Sequence, residues 1–248
     1  MIGILSALEE EGRLIRASLV RPTNAEYAKG QFTSGWLANT PVVVVNTKVG
    51  KVNAAIITQL LIDRYDVDSI ILLGLGGGTG PEVEIGDIVI SRDVVHHDVD
   101  ATGYMRVEIG EIPFLGIKYF PADERLIRIA EQASRSVIKT RISPLNESSR
   151  VYNPRIIVGR VMTGDQFINN LEKVSWLWET FKGHCVEMEG AAVAQCAYLN
   201  NKPFVIVRTI SDKCDEVAEM TYNAYLQSEA PKLLAEIAVL MTVMLSTT

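Results

Sequence analysis

The stretch Phe204–Ile210 (FVIVRTI) is an almost unbroken apolar run, entered through Pro203 and left through Ser211-Asp212. A run of this kind reads as a strand buried on both faces, and such strands belong to sheets covered by helices on both sides. Upstream, Glu187-Met188-Glu189 is followed by the small residues Gly190, Ala191, Ala192, Ala194 and Ala197, which suit a helix packed closely on a sheet. If Val186–Glu189 is a short strand, its two carboxylates point to one face. Polar groups at the carboxyl end of a buried parallel strand stand where α/β sheets bind their ligands. Glu187, Glu189 and Asp212 are therefore candidates for one shared pocket.

The rest of the chain alternates in the same way. Ile2–Ser6 reads as a buried strand, and a helix opens on Glu9, Glu10 and Glu11. That triplet has two readings: acids placed at the positive end of a helix dipole, or one acid reaching into a pocket from a strand tip. Tyr27–Trp36 and Pro41–Asn46 form a predicted hairpin across Leu37–Thr40, and a helix is predicted from Asn53 to Asp63. The Gly50-Lys51 pair before that helix lacks the full phosphate-loop pattern. Ser69–Leu73 is a strand that runs into Gly74-Leu75-Gly76-Gly77-Gly78, where backbone can approach a ligand closely. This run is not the GxGxxG dinucleotide fingerprint. Gly86–Ser91 begins another strand, and Ile156–Met162 is a third. Helices are predicted over Asp123–Ile138, Leu171–Phe181 and Tyr222–Leu245. Tyr104–Tyr119, with Pro113, reads as a covering loop, and Thr140–Pro154 as an exposed excursion. His96 and His97, neighbours on an extended chain, face opposite ways, which suits hydrogen-bonded structural roles better than a metal site. With no internal repeat and no linker, residues 1–248 are expected to form one α/β domain.

A net charge of −6, a pI near 5.2 and the lack of a basic stripe argue against a nucleic-acid partner. The cysteines Cys185, Cys196 and Cys214 are odd in number and lack metal-ligand spacing, which fits reduced thiols and a cytoplasmic location. The N-terminus lacks the features of a secretory signal. Leu233–Leu245 is apolar but short and carries Glu236, so it is expected to be an amphipathic closing helix and no membrane partner is implied.

Four segments carry a resemblance in the right order: Ala7-Leu8-Glu9-Glu10-Glu11, Val49-Gly50-Lys51-Val52, Thr163-Gly164-Asp165-Gln166-Phe167-Ile168, and Val186-Glu187-Met188-Glu189 with Ser211-Asp212. Together with Gly86-Asp87-Ile88-Val89, they resemble the 5'-methylthioadenosine/S-adenosylhomocysteine nucleosidases of the purine nucleoside phosphorylase superfamily over nearly the whole chain. The resemblance implies a three-layer α/β/α sandwich with a central mixed twisted sheet, and hydrolysis of an N-ribosidic bond to release adenine. It implies that Glu11 is the general base for water, Glu189 the ribose-binding carboxylate and Asp212 the general acid at purine N7. Phe167 is implied to stack on the purine and the backbone of Ile168 to read its Watson–Crick edge. Met188 and Glu187 would lie along the ribose with Arg208 nearby, and Gly77 and Ser211 complete the implied contacts. Leu8, Val49 and Tyr222 match the wall around the 5'-substituent. Pro113 is implied to reach that wall from a neighbouring subunit, hence a homodimer; no metal or other cofactor is implied.

The chemistry asks for these residue types. Cleaving a ribosidic C–N bond passes through an oxocarbenium-like state that anionic groups stabilise, and a purine leaves well only when N7 is protonated. A solvated aspartate has a pKa of about 3.9, so holding a proton at pH 7 costs about 4 kcal/mol unless burial and neighbouring carboxylates raise that value. Two departures from the resemblance bear on water positioning and on the 5'-group: Leu75 stands where these nucleosidases usually have Ser, and Lys48 where they usually have Gly. Asp100–Tyr104 is also shorter and Thr140–Pro154 longer than usual. The alternatives are a phosphate-dependent phosphorylase, a futalosine-type nucleosidase and a non-catalytic nucleoside sensor. Phosphorylases bring arginines to the phosphate, commonly near the glycine-rich loop, and Gly74–Gly80 has none. Intact Glu11, Glu189 and Asp212 argue against a sensor.

Overall fold

β1 (Ile2–Ser6) is buried along its whole length and lies parallel between β4 (Thr40–Asn46) and β5 (Ser69–Gly78). Side chains alternate across a strand, so an apolar strand in this position feeds two cores at once. Ile2, Ile4, Val42, Val44, Ile71 and Leu73 join one core, and Leu5, Val43, Val45, Ile70 and Leu72 the other. The first is closed by α1 (Glu9–Ala17), α3 (Glu124–Arg141) and α7 (Ala230–Ser246), the second by α2 (Lys51–Tyr65) and α5 (Gly190–Leu199). A computed structural model, which describes residues 1–141 and 154–246, thus has the three-layer α/β/α arrangement around a mixed sheet that the sequence implied.

β2 (Val20–Tyr27) and β3 (Gly30–Leu37) extend the sheet antiparallel beyond β4. On the other side, β10 (Phe204–Asp212) runs parallel to β5 and antiparallel to β6 (Ile88–His96), to which the short β7 (Phe120–Pro121) also pairs. β6 continues through β8 (Ile156–Thr163) to β9 (Cys185–Glu187), and β9 returns to pair with Gly77 and Gly78 of β5. These five strands close on one another. The closure depends on β5 running on through the glycines to Gly78, past the end expected at Leu73. A Cβ at Gly76 would lie 2.4 Å from Cys185 Sγ, so β9 can approach only because that side chain is missing.

Three boundaries differ from expectation for identifiable reasons. β2 is a polar, exposed edge strand without apolar alternation, and Ala28 and Lys29, with φ of 49° and 59°, turn the chain where one strand was expected over Tyr27–Trp36. The expected helix Tyr222–Leu245 is two helices, α6 (Ala218–Gln227) and α7. Pro231 lacks an N–H, and its ring would clash with the carbonyl of Gln227, where α6 stops. The expected strand Val186–Glu189 ends at Glu187, and Glu189 takes the N-cap position of α5. α4 (Leu171–Phe181) falls where it was expected. Thr140 and Arg141 end α3, and most of the excursion expected over Thr140–Pro154 lies outside the described residues. Among the described residues, no helix is long and apolar enough to cross a membrane.

Asp87, fully buried ahead of β6, pins the start of that strand to β8. It accepts from Arg155 N and Nη2, both at 2.8 Å, from Arg155 Nε at 3.2 Å and from Glu84 N at 2.9 Å. Asp87→Ala strands two backbone donors and is expected to lower the unfolding free energy by about 1–3 kcal/mol. The loss should appear as a lower urea midpoint with an unchanged slope, and a midpoint equal to the wild type would contradict this role.

Candidate active site

Arg208 is, among the described residues, the bulkiest fully buried side chain. It sits in β10 in register with Gly74 of β5, and the glycine makes room for it: a Cβ there would fall 2.1 Å from Arg208 Nη1 and 2.8 Å from Glu11 Oε1. Nη2 donates to Glu187 and, at 3.2 Å, to Glu189 Oε2. Burial works against the guanidinium charge, and Glu187, Glu189 and Glu11 hold it in place, raising the arginine pKa further.

The four carboxylates of the site are held in different ways. Glu187 accepts from Arg208, from the Thr163 hydroxyl, from Glu189 N at 3.1 Å and from Gly190 N at 2.9 and 2.8 Å, so most of its acceptor capacity is taken up by protein. Glu189 accepts from Gly50 N at 2.9 Å and from Arg208; burial raises its pKa and Arg208 opposes the rise. Of the triplet that opens α1, Glu9 and Glu10 are exposed and Glu11 is buried. Glu11 Oε2 accepts from Ala7 N and Leu8 N at 2.8 Å, and Oε1 from Leu75 N at 2.9 Å. Burial raises the pKa of Glu11, against Arg208 and those three amides. Asp212 accepts from the Ser211 hydroxyl at 2.8 Å and from Cys214 N at 2.9 Å, and burial raises its pKa as well.

Glu11, Glu187, Glu189, Arg208 and Asp212 share a cavity of about 180 Å³. Leu8, Val49, Gly77, Phe167, Ile168, Met188, Ser211 and Tyr222 line it too, so it gathers every site residue expected from the sequence except Pro113. Phe167 meets Tyr222 edge to face, ring centroids 6.1 Å apart, and remains half exposed, as befits a ring with a free face. Pro113 lies outside this cavity, in a turn closed by the Ile112–Ile117 bridge and next to Phe114, which is 92% exposed. Leu75, expected to bear on water positioning, lines the cavity, and so do Ala7, Gly76, Gln166, Val186 and Cys214, for which the sequence implies no contact. Ala7, Leu75 and Cys214 act through backbone amides, which residue identity does not advertise. A larger cleft, about 720 Å³, is lined by Arg135, Lys139, Arg155 and Trp178, away from the converging acids.

The hydrogen-bonded structural role expected of both histidines is seen for His96, whereas His97 is buried with neither ring nitrogen hydrogen-bonded among the described residues. Both are buried, His96 pairs with Gln195 at 3.0 Å, and burial pushes both pKa values down to about 4. Among the described residues no cluster of His, Cys, Asp and Glu is arranged to hold a metal.

Arg208→Met leaves several acids buried without their cation and is expected to cost about 3–5 kcal/mol of stability. Arg208 lowers the pKa of Glu11 and Glu189, so without it their ionised forms are stabilised less. The deficit should therefore grow with rising pH, and urea unfolding at about pH 5.5 and about pH 8 reads it directly. A deficit independent of pH would contradict this electrostatic account.

Known proteins resemble this chain along nearly its whole length. A family model described as Phosphorylase superfamily matches residues 1–242. A Bacillus licheniformis protein named 5'-methylthioadenosine/S-adenosylhomocysteine nucleosidase is 36% identical over 230 residues, which cover 92% of this chain and 93% of the relative. The crystal structure of a nucleosidase of the same name from Neisseria meningitidis, in complex with methylthio-immucillin-A, matches with a TM-score of 0.87 and 29% identity over 98% of each chain. Futalosine hydrolase of Helicobacter pylori matches with a TM-score of 0.83 and 27% identity, over 97% of this chain and 96% of its own.

Proposed function

The chain belongs to the phosphorylase superfamily and, within it, to the 5'-methylthioadenosine/S-adenosylhomocysteine nucleosidases, and from that premise we propose that it hydrolyses the N-ribosidic bond of those two nucleosides to release adenine. The observation that carries the reading is the convergence of Glu11, Glu189 and Asp212 on one cavity beside Arg208.

In this reading Phe167 stacks on the purine, the backbone of Ile168 reads its edge, and Glu189 holds the ribose hydroxyls with Met188 and Glu187 alongside. A carboxylate has about four acceptor sites. Three on Glu11 are taken by amides, which leaves one for a water. Glu11 takes a proton from that water as its oxygen bonds to ribose C1'. The bond from C1' to the purine nitrogen breaks, its electron pair goes into the purine, and Asp212 delivers a proton to N7. Anionic side chains beside the sugar stabilise its oxocarbenium character. Leu75 offers no hydroxyl and its backbone amide is engaged by Glu11, so in this reading the orientation of the water rests on Glu11 itself.

Two features favour water over phosphate as nucleophile. Gly74–Gly80 contains no arginine, and Arg208 is already committed to Glu187 and Glu189. The 5'-side is bounded by Leu8, Val49 and Tyr222, and likeness to a futalosine hydrolase makes that wall the place where the substrate is chosen. The exposed apolar residues Val52, Ile56, Tyr198 and Leu199 on and beside α2 and α5, with Tyr104 and Phe114, support a homodimer in which a second copy brings Pro113 to this wall. Free thiols at Cys185, Cys196 and Cys214 suit a cytoplasmic enzyme.

Purified protein is expected to release adenine from 5'-methylthioadenosine in phosphate-free buffer, detected by chromatography, and a requirement for phosphate would refute the hydrolytic reading. Glu11→Gln and Asp212→Asn should each lower kcat by about 10²–10⁴-fold while substrate still binds. The reaction needs Glu11 ionised and Asp212 protonated, and burial raises both pKa values. The rate should therefore rise with pH through the Glu11 value, above the usual glutamate value of about 4.3, and fall as Asp212 ionises. A profile with no acid limb above that value would contradict these assignments.

A further inference from the structure

The loops that follow β4, β6 and β8 are tied together outside the cavity by three side chains that take no part in the proposed chemistry. Asp98, just past β6, accepts from Lys51 Nζ at 2.5 Å through one oxygen and from Asp165 N at 3.0 Å through the other. The Asp165 carboxylate in turn accepts from Lys51 N, the first amide of α2, at 2.8 Å. Within this ring the side chains of Lys51 and Asp98 are only 19% and 16% exposed, while Asp165 stands at the surface. Gly50, with φ of 99°, fits beside it because a Cβ would come 3.1 Å from Asp165 Oδ1.

Both ends of this ring lead into the site. One residue before Lys51, the amide of Gly50 donates to Glu189 at 2.9 Å. Two residues after Asp165 stands Phe167. The groups assigned to proton transfer are held by other partners: Glu11 by Ala7, Leu8 and Leu75, and Asp212 by Ser211 and Cys214.

We propose that Asp98 is a positioning residue which, through Lys51 and Asp165, latches the Gly50 loop to the Phe167 loop and so sets the distance between the ribose carboxylate and the purine platform. The inference rests on the proposed function for what the two loops bind. Because the latch holds binding groups and leaves the proton-transfer groups to other partners, its loss should be read in KM far more than in kcat.

The test compares Asp98→Ala, Asp98→Asn and Lys51→Met with the wild type in two assays: nucleoside cleavage, and binding of free adenine by calorimetry. Asp98→Ala is expected to raise KM and weaken adenine binding by about tenfold, or about 1.4 kcal/mol, with kcat within about threefold. Asp98→Asn keeps an oxygen for the Asp165 amide and should recover part of the adenine affinity. Lys51→Met, which retains the contact between Asp98 and Asp165, should fall between Asp98→Ala and the wild type. An active wild type with Asp98→Ala unchanged in KM and adenine affinity overturns the latch alone. A loss confined to kcat, or one matching the fraction unfolded in thermal melts, overturns it as well. A wild type that neither cleaves the nucleoside nor binds adenine overturns the proposed function and the latch together.

Discussion

The guanidinium of Arg208 is buried in the middle of a sheet, opposite a glycine and among acids. Taking such a charge out of water is expensive, and the loss is offset only where the partner carboxylates are close and well directed. Glu187 and Glu189 meet that condition because β9 ends at Glu187 and α5 begins at once, so the chain turns and brings both side chains onto one cation. The glycines of β5 are the other half of the same constraint. A side chain at Gly74 would occupy the space of the guanidinium, and one at Gly76 would push β9 away. Strand closure, glycine run and buried ion pairs are thus one arrangement seen from three sides.

That arrangement divides the acids by their surroundings. Protein donors take up most of the acceptor capacity of Glu187. Glu189 and Glu11 feel both burial, which favours the protonated form, and Arg208, which favours the ionised form. The direct partners of Asp212 are a hydroxyl and a backbone amide, and burial prevails over them. Pairs of titratable groups whose environments differ in this way are how one fold keeps an acid and a base side by side. In the proposed reaction the acid stands at the purine and the base at the water, and burial raises the pKa of both groups.

Much of this was legible in the sequence wherever burial leaves a pattern. Phe204–Ile210 and Ile2–Ser6 announced strands covered on both faces, and the acids at their ends announced the pocket. Order and spacing of Glu11, Phe167, Glu189 and Asp212 did the rest through resemblance. What stayed hidden has no side-chain signature. β2 is polar and exposed, so its pairing with β3 follows from neighbours rather than from its own residues. The Leu75 group that donates to Glu11 is a backbone amide, which any residue at that position would present. Pro231 stood in plain view inside the expected final helix, yet its effect falls four residues back, at the end of α6. The ring of Lys51, Asp98 and Asp165 joins residues far apart in sequence through two backbone donors and one lysine ammonium, and no spacing rule reaches that far.

The central claim is that burial, away from the arginine-bound acids, leaves Asp212 able to hold a proton. Carbon-13 labelling of aspartate carboxyls, with the Asp212 resonance identified by its loss in Asp212→Asn, allows that one group to be titrated in the folded protein. The account predicts a midpoint well above the value of about 3.9 for a solvated aspartate. A midpoint at or below that value would contradict it.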